Sequence, residues 1–197
     1  KYRQLPDFKP VDVLQQIKER NEGTTQLTPE EEQQGREYIV STAEAVQEIV
    51  KATGRTKVLI GMGMPGLKTE NGRGINAINN GARTPGFLDL LEEKLSSMGI
   101  EPVAPVARLG SDADYCGIGE QYAAEGLFRK VQNAYYFGGG TGIADAMKLD
   151  GELVPFDKTK DWIQKSWQIA CSLGPTYEKL IAAKAMQAWV HLYPDDE

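Results

Sequence analysis

The sequence predicts an α/β fold in which helices pack on a sheet. Three observations lead to this prediction. Short apolar runs have the length of buried strands, the segments between them carry apolar residues at helical spacing, and the two patterns alternate along the chain. Hydrophobic residues make up 41% of the 197 residues, so a sizeable core can form.

The N-terminal part of the chain is predicted to be helical. A short helix is predicted over 10–20. A second helix begins within 28–31 (Thr-Pro-Glu-Glu), where the threonine is an N-cap, the proline takes the first helical position and the last glutamate closes a capping box. Gly54 is placed to end this helix. We therefore expect a helical N-terminal part over residues 1–56.

Residues 57–197 are predicted to form the core segment of the fold. A buried strand at 57–64 is followed by a long loop rich in glycine and asparagine at 65–82. A helix is predicted over 84–99, and a short strand over 102–107.

The last part of the chain combines helices with a glycine-rich strand pair. Ser111 is a suitable N-cap for a helix that extends to about residue 126. The apolar run 131–137 predicts a strand, and a second apolar stretch ends at Asp150-Gly151, a typical hairpin turn. Two further helices are predicted at 159–170 and 175–192.

The segment 138–142 (Gly-Gly-Gly-Thr-Gly) between these strands is the strongest indication of function. Glycine has no Cβ, so several backbone N–H groups can approach one anion, and the threonine hydroxyl adds a donor. This pattern is typical of a phosphate grip in a nucleotide-binding protein. The candidate phosphate ligands are Gly139, Gly140, Thr141 and Gly142.

A second glycine pattern lies at 61–66 (Gly-Met-Gly-Met-Pro-Gly). It matches the glycine spacing of dinucleotide-binding proteins, but turn residues follow it where that fingerprint requires a helix. A glycine-rich bend after a core strand is the simpler interpretation. A loop that faces a substrate is a third, because such bends at strand ends commonly carry sites.

Two acidic residues, Asp112 and Asp114, lie where a strand meets the start of a helix. Capping of the helix N-terminus would explain them without any function. The functional interpretation is a base that accepts a proton from a substrate hydroxyl, and Asp112 is the better candidate because it lies nearer the strand end. The single histidine, His191, is placed as a packing or surface residue, so a Ser-His-Asp triad is not predicted.

The order of these motifs resembles the ROK family (repressors, open reading frames and sugar kinases). Its members carry a Pro-Gly bend, an Asn-Asp-Ala-Asn helix start with a later Gly-Glu, and a Gly-Thr-Gly-Ile-Gly phosphate loop followed by a turn. The matching pieces here are 63–66, 111–114 (Ser-Asp-Ala-Asp), 119–120, 140–143 and 150–151. The resemblance implies an actin-like, ribonuclease H-like fold, a mixed sheet flanked by helices, in incomplete form.

The resemblance also implies an activity, namely ATP-dependent transfer of a phosphoryl group to a sugar hydroxyl, with ATP and Mg²⁺ as cofactors. Asp112 matches the catalytic base, and the loop at 139–142 matches the part that holds the ATP phosphates. No protein metal ligand is assigned, because the cysteine-rich zinc cluster of the family is absent. The residues expected at the sugar are Gly66, Asn79, Asn80 and Ser111.

Composition narrows the set of partners. The net charge is −6, and no Lys/Arg run exceeds two residues, so no nucleic-acid-binding face is predicted. No apolar run approaches the ~20 residues of a membrane span, and two cysteines form no disulfide framework, so a cytoplasmic protein is expected. The resemblance implies a homodimer. Because the chain starts at Lys1 rather than at methionine, we expect it to be a piece of a longer protein.

Three functions stay open at this point. The first is a sugar kinase that is active only as the complete protein. The second is a sugar- or nucleotide-binding regulator on the same scaffold. The third is a catalytically degenerate scaffold.

Overall fold

The structure, a computed structural model, describes residues 3–139, 142–154, 163–166, 168–172 and 180. The chain divides into two compact units, residues 1–111 and 112–197. The first unit contains α1 (Val13–Glu22), α2 (Pro29–Thr53), β1 (Lys57–Val58), β2 (Leu67–Lys68), β3 (Ile75–Ala77), α3 (Phe87–Ser97) and β4 (Glu101–Pro102). The second contains α4 (Asp112–Tyr122), β5 (Ala134–Gly139), β6 (Ile143–Leu149) and β7 (Glu152–Leu153).

These elements form the α/β architecture that the sequence predicts, with small sheets rather than one large one. β1 pairs with β4 in parallel, and β2 pairs with β3 in antiparallel fashion. In the second unit β5, β6 and β7 form a three-stranded antiparallel sheet. Among the described helices, none is both long and apolar enough to cross a bilayer.

The two N-terminal helices are defined by their caps. Thr28 Oγ1 accepts a hydrogen bond from the Glu31 N–H while the Glu31 carboxylate accepts one from the Thr28 N–H, so the predicted capping box is confirmed. Gly54 ends α2 with a φ of 66°, as predicted. Helix α1 begins later than predicted, because its N-cap is Asp12.

The core of the first unit lies between α2, α3 and the β1–β4 pair. Helix α3 contributes a fully buried apolar face to this core. Every second residue from Val58 onward packs against the same core, because successive side chains of an extended chain point to opposite faces. The strand residues on the opposite side, Leu59 and Val103, are exposed. The continuous strands predicted at 57–64 and 102–107 are reduced to two residues each, with one further bridge between Gly63 and Gly110.

The segment 65–82 is not the plain loop that its glycines and asparagines predicted, because β2 and β3 pair within it. Gly66 makes this pairing possible. Its φ is 93°, and a Cβ at this position would lie 2.5 Å from the carbonyl oxygen of Ala77. Asn79 and Asn80 follow β3 in an exposed turn.

A buried ionic network joins α1, α2 and the segment before α3. Arg83 is 1% exposed and donates to both carboxylate oxygens of Glu31, at 2.8 Å and 2.6 Å, and to the Gln26 carbonyl oxygen at 3.1 Å. The Glu19 carboxylate is its third partner. The hydrogen bond with Glu31 is the main cause that raises the pKa of Arg83, and the hydrogen bond from Arg83 lowers the pKa of Glu19.

Two fully buried glutamines attach neighbouring segments through their backbones. The Gln16 amide accepts from the Ile78 N–H at 2.8 Å and donates to the Ile78 carbonyl oxygen at 3.2 Å. The Gln34 amide accepts from the Leu5 N–H and donates to the Arg3 carbonyl oxygen, both at 2.8 Å. Each side chain thereby satisfies both of its polar groups inside the protein.

In the second unit the predicted glycine-rich hairpin is confirmed. β5 and β6 pair in register from Ala134↔Lys148 to Gly139↔Ile143. β6 continues into β7 through the predicted turn, where Asp150 has a φ of 49° and Gly151 a φ of 88°. Positive φ at both central residues is the property of the tight turns that fit the twist of a hairpin.

Helix α4 packs on the central strand β6, and a glycine sets their separation. A Cβ on Gly117 would lie 2.6 Å from the Ala146 Cβ, closer than side chains can approach. Close to this contact, Lys148 is 4% exposed, and its ammonium group donates to the Phe128 carbonyl oxygen at 2.8 Å. The helix ends at Tyr122, earlier than the sequence predicted.

The two predicted C-terminal helices lie mostly outside the described residues. Residues 163–166 and 168–170 are described and are not helical, so the prediction over 159–170 is wrong there. The backbone N–H of Ser166 donates to the Asp145 carboxylate at 2.6 Å, and therefore does not serve a helical ladder.

We predict that Arg83→Met lowers the free energy of unfolding by about 3–5 kcal/mol, because it leaves the buried Glu31 carboxylate without its cation. Urea denaturation measures this. The control is Arg36→Met, which removes an exposed pair with Glu32 on the same helix and should cost about 0–1 kcal/mol. The double change Arg83→Met/Glu31→Gln should recover part of the loss. Equal costs for the Arg83 and Arg36 variants would contradict the role of burial.

We also predict that Gly117→Ala lowers the free energy of unfolding by about 1–3 kcal/mol through overpacking against Ala146. Gly119→Ala is the matched control, since no atom lies within 4 Å of its Cβ position. That control should stabilise α4 by about 0.5–1 kcal/mol through helix propensity. Adding Ala146→Gly to Gly117→Ala should restore stability. A Gly117→Ala variant as stable as the control would refute the close contact.

Candidate functional site

The predicted base, Asp112, is the first residue of α4 and is exposed. Asp114 follows in the same helical turn, and its carboxylate lies 3.1 Å from the Lys165 ammonium group. The sequence favoured Asp112 over Asp114 as the base. Asp114 forms an ion pair with Lys165. The Asp112 carboxylate, in contrast, makes no ion pair or hydrogen bond among the described residues.

The predicted phosphate loop joins β5 to β6. Gly139 is the last residue of β5, and Gly142 directly precedes β6, whereas Gly140 and Thr141 lie outside the described residues. A Cβ on Gly138 would lie 2.7 Å from the Tyr136 hydroxyl, at the end of a side chain that would have to shift. Gly139 has no such neighbour in the described part of the chain, where no atom lies within 4 Å of its Cβ position, and its φ is not positive.

Both the predicted base and the described part of the predicted phosphate loop belong to the second unit. Helix α4 carries Asp112, and the strand on which this helix packs carries the loop at its N-terminal end. A hydrogen bond with Cys116 of α4 raises the pKa of Tyr136 on β5, and the Glu120 carboxylate adds to that rise. Contacts therefore run from α4 to both strands of the hairpin.

A buried polar cluster close to the loop was missed in the sequence analysis. Asp145 on β6 is 1% exposed, and its Oδ2 accepts hydrogen bonds from the Tyr135 hydroxyl at 2.9 Å and from Ser166 N and Oγ at 2.6 Å and 2.5 Å. Its Oδ1 has no partner among the residues that the structure describes. A charged residue within an apolar strand was the available signal. The partner Ser166, which is distant in sequence, gave none.

The same cluster changes the acidity of Tyr135. Burial is the largest cause that raises the pKa of its phenol, the hydrogen bond with Ser166 lowers it, and the Asp145 carboxylate raises it. A phenol is already protonated at neutral pH and the rise acts in the same direction, so the hydroxyl is a donor to Asp145.

The residues predicted to bind the sugar lie at two places in the chain, the β2–β3 hairpin with its following turn and the residue before α4. Gly66 lies against Ala77 and Ile78, which directly precede the exposed Asn79 and Asn80, so these three predicted residues belong to one hairpin and its following turn. Ser111 is half-buried and directly precedes α4. An open pocket of about 450 Å³ in the first unit is lined by Thr69, Glu70, Asn71 and Pro85 rather than by the residues predicted to bind the sugar.

The donors for a protein-held metal are few in the described part of the chain, where no group of three or more His, Cys, Asp or Glu residues comes together. Mg²⁺ in phosphoryl-transfer sites is held by one or two carboxylates and the substrate phosphates rather than by an all-protein cage. The residues present are therefore compatible with a metal that arrives with a nucleotide.

No family model matches the chain, and no curated protein sequence matches it. The fold does match solved structures. One is the inorganic polyphosphate/ATP-glucomannokinase of Arthrobacter sp. strain KM, at 20% identity and a TM-score of 0.56, over 78% of this chain and 55% of that chain. Another is the ROK-family glucokinase of Streptomyces griseus in complex with glucose and AMPPNP, at 14% identity and a TM-score of 0.53, over 78% and 50%. A third is a ROK-family transcriptional regulator, at 13% identity and a TM-score of 0.52, over 82% and 41%.

Because these sequence identities are low, the similarity to the solved structures shows the fold alone. The chain spans about half the length of the structures that it matches, which agrees with the expectation of a piece of a ROK-like protein. The resemblance read from the motifs is thereby confirmed at the level of three-dimensional structure. The chain has the fold of ROK sugar kinases and glucokinases, over about half of their length.

Proposed function

We propose that this chain is part of an ATP-dependent kinase that phosphorylates a sugar hydroxyl. The observation that carries the proposal is Gly139. Glycine within a strand costs conformational entropy, and here neither packing nor a positive φ accounts for it. A ligand that approaches the backbone closely would account for it, and the loop that follows has the composition of a phosphate grip.

In this proposal the second unit holds the reacting groups. The loop at 139–142 binds the ATP phosphates through backbone N–H groups, and Asp112 orients the sugar hydroxyl and accepts its proton. Phosphoryl transfer passes through a loose transition state, so catalysis depends mainly on positioning and on neutralising charge. Part of that neutralisation would come from Mg²⁺ bound with the nucleotide.

The residues that the resemblance implies at the sugar stay part of the proposal. Asn79 and Asn80 present exposed carboxamides that can donate to and accept from hydroxyl groups, and Gly66 holds the hairpin from which they extend. Ser111 adds a hydroxyl directly before the base. The ribonuclease H-like topology and a homodimeric assembly belong to the proposal as well.

We predict that Gly139→Ala raises the KM for ATP by about tenfold or more, because loss of one hydrogen bond to a charged phosphate has this size. The unfolding free energy should stay unchanged or rise slightly, since no neighbour among the described residues lies within 4 Å of the new methyl group. Steady-state kinetics of the intact protein that contains this chain provide the test. Gly119→Ala, which adds a methyl group to an open site on α4, is the matched control. An unchanged KM in the Gly139 variant would remove the main support for the proposal.

We predict that Asp112→Asn lowers kcat for sugar phosphorylation by about 10²–10⁴-fold, the usual contribution of a general base. ATP binding measured by isothermal titration should be retained, because the carboxylate serves the acceptor alcohol. The control is Asp7→Asn, an equivalent change at an exposed site in the first unit. Full turnover in the Asp112 variant would rule out its assignment as the base.

A sugar- or nucleotide-binding regulator is the second candidate, favoured by the fold match to a ROK-family transcriptional regulator. The two candidates differ in one measurement. A regulator would bind sugar or nucleotide without releasing ADP, whereas the kinase would release ADP in a manner that depends on both ligands.

A further inference from the structure

We propose that Lys165 is a positioning residue for Asp112, acting through its ion pair with Asp114. This inference rests on the proposed function, since it concerns the geometry of the proposed base. All the groups involved lie in the second unit.

The ion pair joins a non-helical segment to the first turn of α4. Lys165 Nζ lies 3.1 Å from Asp114 Oδ1, and the two side chains are 14% and 30% exposed, so the pair is shielded from water more than a surface pair is. Shielding strengthens the attraction and makes the geometry more defined. Because Asp114 lies two residues after Asp112, an ion pair on its side chain restrains the turn from which Asp112 extends.

The lysine is itself held in place by the neighbouring residue. Ser166 gives both its backbone N–H and its hydroxyl to Asp145 Oδ2, at 2.6 Å and 2.5 Å. Asp145 is buried in β6, three positions after the glycine-rich loop. The backbone at Lys165 is therefore fixed relative to the strand that carries the loop, and Lys165 passes this restraint on to the helix that carries the base.

The position of the Lys165 charge near the N-terminus of α4 also indicates that its ion pair with Asp114 is specific. A cation near a helix N-terminus is unfavourable, because the unpaired N–H groups there carry partial positive charge. The Asp114 carboxylate, 3.1 Å from the Lys165 ammonium group, offsets the charge of the lysine there.

The test uses Lys165→Met, Lys165→Arg and Lys130→Met in the intact protein that contains the chain. Lys130 is an exposed lysine with no ion pair among the described residues, so Lys130→Met is the matched control. We expect Lys165→Met to lower kcat by about 10- to 100-fold, the range that small misplacement of a catalytic group produces. The KM values for sugar and ATP should stay near those of the wild type. Lys165→Arg, which keeps the charge, should recover most of kcat.

A double-mutant cycle tests whether the effect passes through Asp114. Asp114→Asn alone should resemble Lys165→Met, and the double variant should be no worse than either single variant, since both remove the same interaction. Hydrogen exchange of the amides in the second turn of α4 provides a readout independent of turnover, because these amides donate to the carbonyl oxygens of the first turn. We expect them to exchange faster in Lys165→Met and at the wild-type rate in Lys130→Met.

The outcomes separate this inference from the proposed function. If the wild type phosphorylates sugar and Lys165→Met keeps its kcat, Lys165 does not position the base. If the wild type shows no sugar phosphorylation, the proposed function fails, and the exchange rates then decide alone. Faster exchange in Lys165→Met would support the restraint on α4, and unchanged exchange would overturn it.

Discussion

The absence of a side chain at Gly117 is the constraint on which the second unit depends. It lets α4 lie directly against Ala146 of β6, so that the helix carrying Asp112 and the strand pair carrying the glycine-rich loop form one body. Any larger residue would separate the two elements, since a Cβ would already overlap the alanine. The proposed chemistry needs the base and the phosphate grip in a fixed relation, and this contact is what supplies it.

The two units handle buried charge in different ways. In the first, Arg83 is surrounded by two carboxylates and a carbonyl oxygen, so its charge is neutralised where it is buried. In the second, the buried Asp145 has three neutral donors on one oxygen and none on the other among the described residues. A fully matched network stabilises a fold, whereas a partly matched carboxylate is more typical of a site with another task.

The sequence was informative wherever the physical cause of a structure is local. The capping box at Thr28, the glycine that ends α2 and the hairpin turn at Asp150-Gly151 are determined by residues within a few positions of one another, and all were predicted. The pairing of β2 with β3 and the non-helical course around Ser166 depend on partners distant in sequence, and both were missed. The order of the motifs along the chain predicted the kinase-like fold. The interactions of Asp145 and Lys165 involve partners distant in sequence, so they were not predicted.

The burial of Lys148 has a consequence for chemical labelling. Its ammonium group donates to the Phe128 carbonyl oxygen and is almost fully covered. Acylating reagents attack the neutral amine, which must first lose this hydrogen bond and reach solvent. Lys148 should therefore be acylated at a rate set by opening of its contact with the segment around Phe128, which makes it a reporter of motion in that part of the second unit.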